Sequence, residues 1–127
     1  MKYRKLGRTG LDVSEIGLGT WSFASRAYGD VDRTDAKTVV GAALDGGVTL
    51  FDTAPLYGSS DENGISEQIL GQALGARRED VLISTKFGRW SAQKGTSFDA
   101  AGVRSSVEAS LGRLSTDRID VLFFHSP

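Results

Sequence analysis

The sequence lacks the residues that build disulfides, thiolate metal sites and membrane spans. It has no cysteine among its 127 residues, which excludes disulfides and cysteine-ligated metals and fits a reducing, cytoplasmic location. No apolar run approaches the length of a membrane span. The first residues also lack the apolar core of a signal peptide. We therefore expect a cytoplasmic protein with no membrane partner and no metal.

The sequence also lacks a net excess of basic or acidic residues. The chain has 15 basic and 16 acidic residues, for a formal net charge of -1. Such a balance does not favour a nucleic-acid partner. The hydrophobic content of 39% supports a packed core rather than disorder. The length suits one small domain, so we expect residues 1–127 to form a single domain.

The order of apolar segments predicts an α/β fold. Residues 2–15 read as a hairpin around the Gly7–Gly10 turn, and segment 88–96 reads as a loop. Four short apolar segments are predicted strands: 16–19, 48–52, 81–87 and 119–125. Helical segments separate them, which predicts a parallel sheet. A doubly wound sheet and a piece of a (β/α) barrel both fit this order.

Each helical segment carries an apolar stripe at helical spacing. The first helix begins at Thr34, and Ser97 or Asp99 caps the third. The residues expected to face the core are Ala36, Val39, Val40, Ala43 and Leu44 in the first helix, Ile65, Ile69, Leu70, Ala73 and Leu74 in the second, and Val103, Val107, Leu111 and Leu114 in the third.

Polar or reactive residues follow all four predicted strands. They are Gly19–Thr20–Trp21, Asp52 with Tyr57, Lys86, and His125, the only histidine. Each feature alone also fits ordinary packing or solvent exposure. Their occurrence at successive strand ends favours a site, because ligands bind at the carboxyl ends of parallel strands.

These residues suit proton transfer to an oxygen. A nearby ammonium stabilises a phenolate, and a carboxylate can hold the ammonium in place. A histidine can orient a carbonyl oxygen or relay a proton. We therefore expect acid–base chemistry at a carbon that undergoes hydride transfer. The sequence offers no Ser–His or Cys–His nucleophile pair.

The nucleotide-binding motifs of doubly wound sheets are incomplete. Gly17-Leu18-Gly19 starts the dinucleotide fingerprint, but Ser22 stands where its third glycine would be. No Walker A sequence is present either. The doubly wound interpretation loses its main support.

Together these motifs resemble the aldo-keto reductase family. The matching stretches cover most of the chain: Gly17–Trp21, Phe51–Gly58, Ser84–Gly88 and Ile119–Pro127. The resemblance implies a (β/α)8 TIM barrel whose N-terminal hairpin closes the bottom. It also implies reversible hydride transfer between nicotinamide and a carbonyl or alcohol, with a small carbonyl or sugar-like substrate.

The resemblance assigns roles to individual residues. Tyr57 would be the general acid, Lys86 would favour its ionisation, Asp52 would pair with Lys86, and His125 would orient the substrate carbonyl. The cofactor would be NADP(H) or NAD(H), bound without a Rossmann fold. The residues implied to contact it are Gly19, Thr20, Trp21 and Asp52. Those implied to line the substrate pocket are Trp21, Tyr57, Trp90 and His125.

The chain is short for this family, since a full barrel takes about 250 residues. We expect the N-terminal part of a barrel: a hairpin, about four parallel strands and three helices. Most of the cofactor site would come from the missing half. Open strand edges invite self-association or a complementing C-terminal half. Two functions therefore stay open: an oxidoreductase, or a catalytically inactive half-barrel that acts as a structural or self-associating module.

Overall fold

The computed structural model describes residues 1–24, 31–59, 62–91 and 95–127, without the side chains of Trp90 and Ser91. Its strands are β1 (Tyr3–Lys5), β2 (Asp12–Ser14), β3 (Leu18–Gly19), β4 (Leu50–Asp52), β5 (Leu82–Phe87), β6 (Arg89–Ser91), β7 (Gly95–Thr96) and β8 (Val121–Phe124). Its α-helices are α1 (Arg33–Asp45), α2 (Ile65–Leu74) and α3 (Ala100–Leu114). Within the described ranges, no helix has the length and apolar character that a membrane span requires.

The strand order excludes a doubly wound sheet and agrees with the partial barrel that the resemblance implies. The main sheet runs β3-β4-β5-β8, and every neighbouring pair is parallel. Each new strand is thus added at the same edge of the sheet, in the order of the chain. A doubly wound sheet would instead reverse this direction part-way through. Helix α2 packs against both α1 and α3. All three contribute to one core with the same sheet face, which is the winding of a barrel.

The N-terminal hairpin attaches to the start of β4. Its strands pair antiparallel from Tyr3 opposite Ser14 to Lys5 opposite Asp12. The Ser14 and Thr49 side chains each accept a hydrogen bond of 2.9 Å from the other residue's backbone N–H. The hairpin therefore lies at the amino end of the sheet, opposite the strand ends that carry the predicted site.

The two faces of the sheet have different roles. Phe51 of β4 and Ile83 of β5 are fully buried in the core shared with the helices. Because side chains alternate along a strand, Asp52, Ser84 and Lys86 lie on the other face. This face becomes the interior of a barrel, and it carries the polar residues of the predicted site.

The predicted apolar stripe is confirmed for α2, whereas those of α1 and α3 need correction. Val39 is 44% exposed, although it was predicted to face the core; the buried row of α1 is Ala36, Val40 and Leu44, spaced four apart. In α3 the buried residues are Ser106, Ser110 and Leu114, whereas the valines of the predicted stripe are only half-buried. Two of the buried positions of α3 are therefore filled by small polar side chains.

The predicted loops and strands also need correction. Segment 88–96 was predicted as a loop, but β6 and β7 pair antiparallel within it, with Arg89 opposite Thr96. Ile16 was placed in the first strand, yet it precedes β3 and is 64% exposed. Of the two predicted caps of α3, Asp99 is the one used, because its carboxylate accepts a 2.7 Å bond from the Gly102 N–H.

Candidate active site

Asp52 and Lys86 form an ion pair at the carboxyl ends of β4 and β5. The Lys86 ammonium donates to Asp52 Oδ2 at 2.7 Å and to Oδ1 at 2.9 Å. It also donates to the Thr53 carbonyl at 2.9 Å. These acceptors match the three donors of an ammonium. The Lys86 side chain is only 16% exposed, so this cation is largely shielded from solvent.

Tyr57 lies beside this pair, in the turn that follows β4. Its N–H donates to the Ala54 carbonyl at 3.0 Å, and its own carbonyl accepts from the Ser66 N–H at the start of α2. These bonds fix the half-buried tyrosine between strand and helix. The Lys86 Nζ lies 4.8 Å from the centroid of the Tyr57 ring, within the range of a cation–π interaction.

His125 completes the group from the other side. It follows β8 directly, and its N–H continues the ladder by donating to the Phe87 carbonyl at 2.9 Å. Its ring meets the Tyr57 ring edge to face, with centroids 6.0 Å apart. Within the described part of the chain, its Nδ1 is buried without a hydrogen-bond partner. A buried polar atom with no protein partner is a natural contact for a ligand.

The surroundings of His125 favour the neutral imidazole. Partial burial lowers its pKa, and the positive charges of Lys86 and Arg89 lower it further. The negative charge of Asp52 acts in the opposite direction, but it is the smallest of these effects. Because the ordinary pKa of histidine is about 6.5, His125 is predominantly neutral at pH 7.

Two hydroxyls hold Asp52, and the sequence predicted this role for neither of them. The Ser84 hydroxyl donates to Asp52 Oδ1 at 2.7 Å. The N–H and hydroxyl of Thr20 both donate to the Asp52 carbonyl, at 2.9 and 3.0 Å. Ser84 could have been found from its position two residues before Lys86, which places both side chains on one face of β5. The link from Thr20 to the Asp52 backbone has no such local signal.

The comparisons identify the family. The model of the Aldo/keto reductase family matches residues 15–127. The chain belongs to this family. Two curated relatives are the aldo-keto reductase YhdN of Bacillus subtilis and the L-galactose dehydrogenase of Arabidopsis thaliana. Each is 39% identical to the chain, over 100% and 98% of its length respectively. The chain spans 38% of the length of each of these relatives.

Solved structures of aldo-keto reductases have the same fold. The holo form of an aldo-keto reductase from Bacillus halodurans is 36% identical with a TM-score of 0.81, over 98% of this chain and 40% of that one. An enzyme from Klebsiella pneumoniae in complex with NADPH is 32% identical with a TM-score of 0.73, over 91% and 36%. These neighbours are (β/α)8 barrels. The predicted fold, part of such a barrel, is confirmed.

The four residues predicted to contact the nicotinamide cofactor differ in solvent exposure. Gly19 and Trp21 are exposed, with Trp21 at 47%, and the Asp52 side chain is 38% exposed. Thr20 is fully buried, and its hydroxyl is already bonded to the Asp52 carbonyl. Gly19, Trp21 and the Asp52 side chain are therefore accessible from solvent, whereas Thr20 is not.

Trp90 is the one residue predicted to line the substrate pocket whose side chain is not described. The backbone of Trp90 belongs to β6, but its side chain lies outside the described part of the chain. The other three, Trp21, Tyr57 and His125, all follow the carboxyl ends of sheet strands.

Among the described residues, which leave out 25–30, 60–61 and 92–94, no group of three or more His, Asp or Glu residues could hold a metal ion.

Proposed function

We propose that the chain supplies the acid–base centre of an NADP(H)- or NAD(H)-dependent oxidoreductase that interconverts a carbonyl and an alcohol. One observation carries this proposal: the Lys86 ammonium contacts both the Asp52 carboxylate and the Tyr57 ring, and the His125 ring meets the same tyrosine edge to face. The NADPH complex of the Klebsiella pneumoniae relative supports the cofactor class. The L-galactose dehydrogenase relative supports a small carbonyl or sugar-like substrate.

In this proposal Tyr57 protonates the substrate oxygen during reduction and takes the proton back during oxidation. Lys86 stabilises the negative charge that develops on the phenol oxygen, and Asp52 keeps Lys86 in position. A neutral His125 contacts the substrate oxygen and sets its direction. When bound, the nicotinamide supplies or accepts the hydride. The protein residues handle the proton and the geometry.

The experiment that tests this function uses the 127-residue chain itself. NADPH is titrated into the protein while the cofactor fluorescence is followed, and turnover of a reactive aldehyde is then measured. We expect saturable binding and turnover that Tyr57→Phe lowers at least about a hundredfold. Tyr3→Phe is the matched control, because the Tyr3 hydroxyl bonds the Gly47 carbonyl near the hairpin. Absence of binding up to millimolar NADPH would contradict the proposal for this chain.

A second candidate function, a self-associating half-barrel module, is favoured by the edge strand β8. Leu122, Phe123 and Phe124 in this strand are 37, 51 and 58% exposed. An exposed apolar edge promotes pairing with another chain. We propose that this edge recruits either a second copy or a complementing C-terminal half.

Sedimentation of the purified chain tests this second function. We expect a concentration-dependent dimer or larger species that Phe123→Lys weakens, since a charged edge residue opposes strand pairing. Lys37→Ala, on the outer helix α1, is the control and should not change the sedimentation coefficient. If the chain sediments as a monomer at all concentrations, and its sedimentation coefficient does not rise when a C-terminal half is added, the self-associating function is contradicted.

A further inference from the structure

Ser84 occupies a special position relative to the proposed acid–base residues. It lies directly opposite Asp52 in the β4–β5 register, and Lys86 follows two residues later on the same strand face. Ser84 is only 4% exposed. Its hydroxyl therefore points at the Asp52 carboxylate from within the sheet and is largely shielded from water.

The carboxylate of Asp52 accepts hydrogen bonds from two residues of the same strand, β5. Oδ1 accepts from the Ser84 hydroxyl at 2.7 Å and from Lys86 Nζ at 2.9 Å, whereas Oδ2 accepts from Lys86 Nζ at 2.7 Å. The terminal torsion of aspartate is broad, so a carboxylate bound by a flexible lysine alone can rotate. Two separate donors on Oδ1 define the carboxylate plane.

We propose that Ser84 is a positioning residue for the acid–base centre. Its hydroxyl fixes the plane of the Asp52 carboxylate, and the carboxylate in turn fixes the Lys86 ammonium over the Tyr57 ring. Without Ser84, water reaches Oδ1, since the Asp52 side chain is 38% exposed. The ammonium then samples more than one position. The catalytic part of this inference rests on the proposed oxidoreductase function, but the geometric part does not.

The first test measures the Lys86 ammonium directly. Proton exchange at its ¹⁵N-labelled Nζ is followed by NMR in the unsubstituted chain, in Ser84→Ala and in Ser84→Thr. We expect Ser84→Ala to speed exchange about tenfold, the factor expected for weakening one hydrogen bond to a charged group. Ser84→Thr keeps the hydroxyl and should restore slow exchange. Equal exchange rates in Ser84→Ala and the unsubstituted chain would overturn the proposal.

Two further variants control for the loss of any buried serine hydroxyl and for misfolding of Ser84→Ala. Ser106→Ala is the matched control, because Ser106 Oγ is buried and has no hydrogen-bond partner among the described residues; Lys86 exchange should not change. If Ser84→Ala does not fold, Ser84→Cys keeps the shape of serine, with a slightly larger side chain and a much weaker donor. It should give the same faster exchange, and slow exchange in that variant would count against Ser84.

The second test separates positioning from folding. In the NADPH-dependent aldehyde assay, Ser84→Ala should lower kcat about tenfold with little change in KM for NADPH, and Ser84→Thr should recover kcat. An unchanged kcat alongside faster exchange would refute the catalytic part. If the unsubstituted chain shows no turnover, the proposed function fails on its own, and the exchange rates still decide the geometric part.

Discussion

The rings of Tyr57 and His125 meet edge to face, with centroids 6.0 Å apart and planes at 89°. This contact joins the turn after β4 to the residue that follows β8, across the strand that carries Lys86. His125 is the only histidine of the chain. Its imidazole signals are therefore unambiguous in NMR spectra, and they report on the charges around Tyr57.

The first prediction concerns the titration of this histidine. His125 should titrate below the ordinary histidine value of about 6.5, because burial and the charges of Lys86 and Arg89 lower its pKa. Arg89→Gln removes one of these charges and should move the pKa upward. The measurement is the pH dependence of the imidazole Cε1–H chemical shift.

The control for this titration is Arg8→Gln. Arg8 lies in the hairpin turn between β1 and β2, so its loss should leave the curve unchanged. The lowered pKa also affects stability. Because His125 binds its proton more readily in the unfolded chain, the free energy of unfolding falls as the pH drops below about 6.5. A titration midpoint above 6.5 would contradict the described surroundings.

The second prediction concerns turnover. Replacing the proposed proton donor in Tyr57→Phe should reduce kcat by about 10²–10⁴-fold, the usual contribution of a positioned acid or base. Lys86→Met should cause a loss of the same order, because it removes the charge beside the phenol. Aldehyde-dependent oxidation of NADPH measures both variants.

Structural damage is the alternative explanation for such losses. Circular dichroism should show that Tyr57→Phe retains the fold, since only a hydroxyl is removed. A Tyr57→Phe variant that is folded and as active as the parent chain would eliminate Tyr57 as the proton donor.

The third prediction concerns a buried ion pair outside the site. Glu67 of α2 is fully buried, and its carboxylate accepts from Arg113 Nε at 2.6 Å and from the Thr85 hydroxyl at 2.7 Å. Arg113→Ala leaves this charge without a cation, so it should lower the free energy of unfolding by about 3–5 kcal/mol. Urea denaturation measures the loss.

An exposed ion pair provides the contrast. The Lys5 and Asp12 side chains are bonded at 2.8 Å but are 62% and 63% exposed. Lys5→Ala should therefore change stability little, because solvent screens such pairs. Equal effects of Lys5→Ala and Arg113→Ala would show that burial of Glu67 does not matter.

The fourth prediction uses two helical glycines. A Cβ on Gly71 of α2 would lie 2.7 Å from the Leu114 carbonyl carbon at the end of α3, so the two backbones leave no room for a methyl group. Gly71→Ala should destabilise the protein by about 1–3 kcal/mol, the usual cost of overpacking. Thermal unfolding followed by circular dichroism measures it.

Gly41 in the interior of α1 is the matched control. A Cβ there meets no atom within 4 Å, and alanine is the better helix former by about 1 kcal/mol. Gly41→Ala should therefore stabilise the protein. Stabilisation by Gly71→Ala as well would contradict the close contact between α2 and α3.

The sequence alone determined the strand ends and the residues they carry. Asp52 is the last residue of β4, Lys86 the last but one of β5, and His125 follows β8 directly, and such boundaries depend on neighbours in the chain. The resemblance to the aldo-keto reductases then named the fold. From the same local pattern, the doubly wound sheet and the barrel could not be separated, since that choice depends on which strands pair.

Only the tertiary structure decided the contacts between distant residues. Thr20 is buried because its hydroxyl meets the Asp52 carbonyl, and Glu67 can be buried because Arg113 neutralises it. Ser106 is buried although it is polar, whereas the valines of the predicted stripe of α3 are only half-buried. Periodicity describes one segment at a time, whereas burial and pairing depend on what the folded chain brings against that segment.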